Sequence, residues 1–277
     1  MTEPRFDFAI SATGSLAQDA ADAVTSLWWR VQAGRSARQR QLGVAFKALR
    51  SSGYSGRSPG LPDDATTAFA APGAAADQGD AIHTPPINYA ALVLRDNLRN
   101  RNSIEKSYLN AIGQAQRDIV IANAYFLPGG KLRRALVAAA RRGVKVTVLL
   151  QGKYEYFMQY HATRPVYDAL LREGIEIHEY AASFLHAKVA VIDGRWATVG
   201  SSNLDPLSLL LAREANVVIE GDAFATELRE RLHTAMAGQT GRIDYAAHSQ
   251  RPVTTRVLDW FAYGVMRALL WLTGKRY

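Results

Sequence analysis

The chain contains no cysteine, which excludes both a disulfide framework and a cysteine-ligated metal centre. That absence suits a reducing compartment. Nowhere does an uninterrupted apolar run approach the ~20 residues that a membrane-spanning helix needs. Met1 to Ser11 has no long apolar stretch, so no amino-terminal signal peptide is expected. Acidic residues are in the minority, 25 against 33 Lys and Arg, for a net charge of +8. A surplus of that sign points to an anionic partner, either nucleic acid or an anionic membrane surface. With 277 residues, 48% of them hydrophobic, the chain can bury a full core in one large or two modest domains.

The stretch with most chemistry runs from Leu185 to Asp205. Leu185 to Ile192 alternates and is rich in β-branched residues, which predicts a strand. Asp193-Gly194 is a two-residue hairpin signal, and Arg195 to Val199 supplies the returning strand. Alternation places His186 and Lys188 on one strand face, two residues apart. An imidazole beside a fixed ammonium suits attack on a phosphodiester, one group bonding phosphorus and the other neutralising its oxygens. The return strand then delivers Gly200-Ser201-Ser202-Asn203, a small donor-rich loop. His-x-Lys alone is a weak signal; followed by x4-Asp and then Gly-Ser-x-Asn, it is a strong one.

His186-x-Lys188-x4-Asp193 with Gly200-Ser201-Ser202-Asn203 resembles the signature of the phospholipase D superfamily. The extension through Leu204-Asp205-Pro206-Leu207-Ser208, together with Glu214-Ala-Asn216, resembles bacterial cardiolipin synthases of the B type. The resemblance runs from about Arg5 to Tyr277, as the carboxy-terminal part of such a protein. It implies an α/β fold, a layered α/β/α domain with a mixed, largely parallel sheet. The implied activity is a phosphatidyltransferase that makes cardiolipin from phospholipids such as phosphatidylglycerol. In that scheme His186 forms a phosphohistidine, Lys188, Ser201 and Asn203 hold the phosphoryl oxygens, and neither cofactor nor metal is needed. Peripheral attachment to the cytoplasmic face of a bacterial cell membrane is implied, and no nucleic-acid partner.

Asp193 belongs to the motif's catalytic set, yet strand geometry sets it apart. At ~3.3 Å per residue it stands roughly 23 Å from His186. A hairpin-turn aspartate with structural hydrogen bonds is the better physical reading. The carboxylate that orients the imidazole must come from another strand. Glu214, at the start of a strand predicted over 214–219, resembles the family's histidine-pairing glutamate; the plainer alternative is a charged strand terminus.

In order along the chain, Arg5 to Ile10 predicts a short strand. Ser15 and Gln18 have capping-box spacing before a helix with the apolar stripe Leu16, Ala20, Val24, Leu27 and Trp28. By resemblance, residues 1–33 are the tail of a first catalytic half. That half would carry its own His-x-Lys motif, and this chain holds no second copy. His161-Ala-Thr-Arg164 mimics the spacing, but Pro165 and the pattern after it predict a helix start there. Residues 34–86 begin basic and become dense in Gly, Pro, Ser and Ala, which predicts a linker. Over 87–240 the pattern predicts strand 90–94, a helix over 103–116 capped by Ser103, strand 118–124, helix 131–142, strand 144–150, helix 164–173, strand 175–180, the hairpin, strand 214–219 and helix 222–237. Such alternation predicts an α/β layered domain.

Residues 252–277 predict a separate amphipathic helix. Leu258, Phe261, Ala262, Val265, Leu269 and Leu272 fall on one side, with Arg256, Asp259, Tyr263 and Arg267 on the other. Trp260, Trp271 and Lys275-Arg276-Tyr277 add aromatic width and positive charge, suited to a membrane interface. Packing on the protein's own core is the alternative. Two other functional classes stay open at this level. One is a catalytically incomplete half-enzyme or membrane interaction module; the other is a phospholipase D-type phosphodiesterase or nuclease. Single-motif members of the superfamily imply a further arrangement, a homodimer about a two-fold axis in which each chain supplies one histidine.

Overall fold

The computed structural model describes residues 4–38, 44, 47, 89–97, 100–154, 157–238 and 240–272. Most of the linker expected over 34–86 lies outside the described residues, as do Lys275, Arg276 and Tyr277.

An eight-stranded sheet carries the molecule. Its strands are β2 (Tyr89–Arg95), β3 (Asp118–Asn123), β4 (Lys145–Gln151), β5 (Glu176–Tyr180), β7 (Lys188–Ile192), β8 (Trp196–Gly200), β9 (Glu214–Glu220) and β10 (Thr240–Arg242), in the order β10-β5-β4-β3-β7-β8-β9-β2. A separate parallel pair joins β1 (Arg5–Phe6) to β6 (Phe184–Leu185). The helices are α1 (Ser15–Arg38), α2 (Ser103–Gln114), α3 (Gly130–Arg141), α4 (Phe157–Leu171), α5 (Pro206–Leu210), α6 (Asp222–Ala237), α7 (Tyr245–Ser249) and α8 (Val253–Leu272).

The sheet is mixed, as expected, but the expectation of a largely parallel one is corrected. Among the described residues of this sheet, only β3–β4 and β4–β5 pair in parallel; β7, β8, β9 and β2 form an antiparallel run, and β10 pairs antiparallel with β5. The βα alternation before residue 180 gives parallel neighbours, because a helix crossover returns the chain in the same direction. Hairpins do not, and β2 joins the far edge beside β9 rather than the parallel half.

Successive residues of the central strands feed two apolar layers. Ile119, Ile121, Ala190 and Ile192 pack with Ile104, Tyr108 and Ile112 of α2, Leu132 and Leu136 of α3, and Val166 and Leu170 of α4. Val120, Ala122, Val189 and Val191 face Ala225, Leu228 and Leu232 of α6. A smaller cluster places Leu16 and Ala23 of α1 against Leu92, Val217 and Ile219. Burial on both faces makes the centre strands almost continuously apolar, a three-layer α/β/α arrangement.

Several local expectations change. Helix α2 starts at Ser103, but the cap position is Asn102 and no side chain caps it. Gln18 gives its amide to Asp22 in place of closing a capping box. Helix α4 begins at Phe157, well ahead of Pro165, which sits inside it. The ring deletes one helical N–H, yet Ala162, Arg164, Val166 and Tyr167 are buried, and that packing carries the helix through. The strand expected over 185–192 is interrupted at His186 and Ala187, between β6 and β7.

Candidate active site

His186 lies at that interruption, where the backbone leaves the small β1–β6 pair and enters the main sheet. Its N–H donates to the carbonyl of Phe6 at 2.8 Å. Leu185 is held by Gln151, whose Oε1 accepts its N–H at 2.8 Å, while Ala187 offers its carbonyl to Ala124. The backbone around His186 is thus held by contacts from the amino-terminal segment, from β4 and from Ala124, just past β3.

His186 Nδ1 stands 2.6 Å from Oδ2 of Asp7. A carboxylate only accepts, so Nδ1 carries the proton and Nε2 of the neutral ring keeps its lone pair. Glu214, the expected orienting group, is engaged elsewhere: it accepts the hydroxyl proton of Ser201. The histidine's carboxylate partner in this geometry is therefore Asp7, from outside the 87–240 segment. One sequence signal would have found it. Asp7 precedes Gly14 by seven residues and a helix starts at Ser15; Glu214 precedes Gly221 by seven and a helix starts at Asp222. The two carboxylates share the same spacing to a glycine that precedes a helix, although Glu214 opens β9 and Asp7 follows β1.

Lys188 is 5% exposed and its ammonium donates to the carbonyl of His186. Burial lowers its pKa to about 8, opposed by the carboxylates of Asp7 and Glu214 and reinforced by Arg5. A lysine held this way is charged at neutral pH but only just, and its charge is drawn to whatever anion arrives.

The Gly200-Ser201-Ser202-Asn203 loop follows β8. Gly200 pairs with Asn216 across β8–β9, and a Cβ there would sit 2.3 Å from the Asn216 carboxamide, so only glycine fits. Asn216 is buried and ties the loop together: its Oδ1 accepts the Ser202 N–H at 3.3 Å, and its amide donates to Thr198 at 3.2 Å. Ser202 is fully buried, a structural member of the loop. Ser201 Oγ gives its proton to Glu214 and accepts the Ala215 N–H at 3.1 Å. Asn203 Oδ1 and the amide nitrogens of Asn123 and Gln151 are buried without a hydrogen-bond partner among the described residues. Asn123, opposite Lys188 in the β3–β7 register, also accepts the Leu204 N–H at 3.1 Å. Asp205 caps α5 by accepting the N–H of Ser208 at 2.8 Å.

The structure sets Asp193 apart from this group. It occupies the hairpin turn at the opposite end of β7, with φ of 55° followed by Gly194 at 62°, the left-handed pair a type I′ turn requires. Its carboxylate accepts the backbone N–H groups of Gln116, Arg117 and Asp118 at 2.9, 2.8 and 3.1 Å. His161 is no second motif, because its Nδ1 binds Asp259 of α8 at 2.6 Å. Arg164 instead pairs with Glu179 at 2.7 Å. His178 lies in β5 near Glu176, and burial lowers its pKa.

Fold and site together define a phospholipase D-like domain. Residues 108–236 match the family described as cardiolipin synthase, PLD-like domain. Cardiolipin synthase B of Shigella flexneri is 46% identical over 153 residues, 55% of this chain and 37% of that protein. The Salmonella typhi cardiolipin synthase B is 44% identical over 185 residues, 67% of this chain and 45% of that one. Among solved structures, the phosphatidylserine synthase of Haemophilus influenzae Rd KW20 superposes with a TM-score of 0.52 at 16% identity, over 65% of this chain and 46% of its own. That likeness shows the fold alone. Within the superfamily, this domain is similar to that of bacterial cardiolipin synthase B. The chain spans less than half the length of the curated relatives it matches.

Proposed function

We propose that this chain carries one catalytic motif of a phosphatidyltransferase that makes cardiolipin from phospholipids. The observation that carries the reading is the Asp7–His186–Lys188 arrangement. A proton held on Nδ1 leaves Nε2 as the nucleophile, with a buried ammonium two residues away to meet the phosphoryl oxygens. In the first step Nε2 attacks phosphorus of a donor lipid such as phosphatidylglycerol. The P–O bond to the leaving glycerol breaks, a P–N bond forms, and the leaving oxygen takes up a proton. A hydroxyl of a second lipid then gives up its proton and displaces the histidine. Throughout the intermediate His186 is bonded to phosphorus, so a different group must do the proton work. Of the remaining histidines, His161 and His248 are taken up in contacts with Asp259 and Arg251, and neither these nor His83, His178 and His233 has a His-x-Lys setting.

The second proton-transfer group therefore comes from a second copy of this chain or from a further catalytic half, such as the longer relatives have room for. Beside Asp7 lies a cleft of about 800 Å³ in which Phe6, Phe8 and Phe224 alternate with the charged Glu227, Glu230 and Arg231. The place of action in this reading is the cytoplasmic face of a bacterial membrane, with peripheral attachment. Phosphatidylglycerol turnover, measured on size-separated fractions of the wild type and of His186→Ala, tests it. Turnover confined to an assembled fraction and abolished by the substitution is the expected result. Robust synthesis from a strictly monomeric fraction, or equal turnover by His186→Ala, would overturn it.

A further inference from the structure

Helix α8 packs in an orientation that its sequence does not predict. Its one acidic residue, Asp259, is 1% exposed and points inward. There Asp259 meets His161 of α4 at 2.6 Å and Arg251 at 2.8 Å. Arg251 in turn reaches His248 at 2.9 Å. Ala262 is buried beside it, and Tyr263 and Met266 pack against the main core. The face turned outward holds Val253, Val257, Trp260, Phe261 and Leu269, with Trp260 57% and Phe261 66% exposed. Both arginines of the helix, Arg256 and Arg267, are exposed too. The helix thus hides its only negative charge and presents aromatic rings together with two cations.

Exposed aromatic side chains also stand at and before the start of α4, the helix against which α8 packs. Phe157, exposed at the start of α4, lies 4.6 Å from the His161 ring, which holds Asp259. Tyr154, also exposed, lies 5.2 Å from Tyr160. One residue earlier, the Lys153 ammonium sits 5.4 Å from the Phe184 ring, two residues from His186. Phe157, Tyr154 and Lys153 thus add aromatic and cationic side chains on the segment between β4 and α4.

We propose that these side chains dock the protein on an anionic lipid surface, with Trp260, Phe261 and Val257 of α8 and Phe157 of α4 entering the interface. The arginines on α8 meet the headgroup charge, and exposed aromatic and aliphatic side chains supply the apolar area that interfacial helices need. Buried pairing of Asp259 with His161 and Arg251 fixes the helix so that this face, and not its opposite, is outermost. Docked this way, the His186 end of the sheet stands at the headgroup level, where a lipid phosphodiester is found. This orientation rests on the transferase reading, whereas the docking itself does not.

The test is co-sedimentation of the full chain with vesicles, which reads binding without turnover. Wild type, Trp260→Gln/Phe261→Gln and Arg256→Gln/Arg267→Gln are compared on phosphatidylglycerol-containing and pure phosphatidylcholine vesicles, with circular dichroism as the folding control. The aromatic pair is exposed, so its replacement leaves the Asp259 clamp intact. Wild type should prefer anionic vesicles. The aromatic variant should lose at least about tenfold in partitioning, and the arginine variant should lose the anionic preference. Unchanged partitioning of a folded aromatic variant would overturn the proposal. So would an aromatic variant whose only change, by sizing chromatography, is from dimer to monomer, because the face would then be a contact between copies. Normal docking beside a His186→Ala protein that turns over phosphatidylglycerol as wild type does would leave the docking standing and count against the transferase reading.

Discussion

Replacing Gly200 with alanine should break the active-site loop from inside. The new Cβ would fall 2.3 Å from both Cγ and Oδ1 of Asn216 and 2.6 Å from the carbonyl oxygen of Ala215. No rotamer of alanine relieves this, so the Asn216 side chain must leave a buried position. In doing so it gives up its bonds to the Ser202 N–H and to Thr198. Orphaning buried polar groups costs about 1–3 kcal/mol each, and overpacking adds about 1–3 kcal/mol. Allowing for partial relaxation, the total is about 3–6 kcal/mol, a large part of the ~5–15 kcal/mol that holds a typical domain folded. Urea unfolding followed by circular dichroism should show the midpoint falling by roughly 1–2 M at unchanged slope. A double-mutant cycle sharpens the attribution. Asn216→Ala removes the clashing carboxamide, so Gly200→Ala should cost less in that background than alone. Rescue should be partial, because the Ala215 carbonyl remains. A Gly200→Ala protein within about 0.5 kcal/mol of wild type would refute this packing argument.

Other consequences follow from neighbouring residues. Asp7→Asn keeps an oxygen that can accept from Nδ1 but removes the charge; since both partners are partly exposed, the turnover loss should be about tenfold, the low end for a charge-assisted bond, and an unchanged rate would mean that Asp7 only packs. Lys188 is protonated below its lowered pKa of about 8, so kcat/KM for phosphatidylglycerol should fall as pH rises through about 8. Lys188→Arg stays charged and should be slower without that alkaline limb; an identical limb in the variant would assign it to another group. Asp193→Ala strips three backbone N–H groups of their acceptor at a solvent-accessible turn, so it should cost about 1–3 kcal/mol in urea unfolding while leaving turnover per folded molecule unchanged. Lost turnover in a folded Asp193→Ala protein would return that residue to the chemistry.

Much of the sheet was legible because its strands are short, β-branched and separated by clear helix or turn signals. Asp193-Gly194 fixes a hairpin by its backbone conformation alone, and His186 and Lys188 need only the alternation of a strand to be seen as neighbours. The direction of β2 was not legible: a strand's own pattern says which faces are buried, not which edge it joins. Asp7 was missed for a related reason, since a carboxylate 179 residues from its histidine gives no local signal. Its likeness to Glu214 is visible only when two distant stretches, each a carboxylate seven residues ahead of a glycine and a helix, are set side by side. Helix α8 shows the reverse failure. Its hydrophobic period is clear, but a buried Asp259, held by a hydrogen bond to His161 and an ion pair with Arg251, turns the helix so that Asp259 faces the protein and Phe261 faces out. Periodicity finds an amphipathic helix; the partner decides which side is covered.

The central claim is that Nε2 of His186 becomes bonded to phosphorus. The direct measurement mixes the assembled protein with radiolabelled phosphatidylglycerol and quenches it in alkaline denaturant, because a phosphoramidate is lost in acid. Peptide mass spectrometry then locates the label. A phosphatidyl adduct on the peptide carrying His186, absent from His186→Ala and discharged by added acceptor lipid, is the predicted result. Turnover with the label on another residue, or with no protein-bound phosphorus at any time during the reaction, would contradict the account.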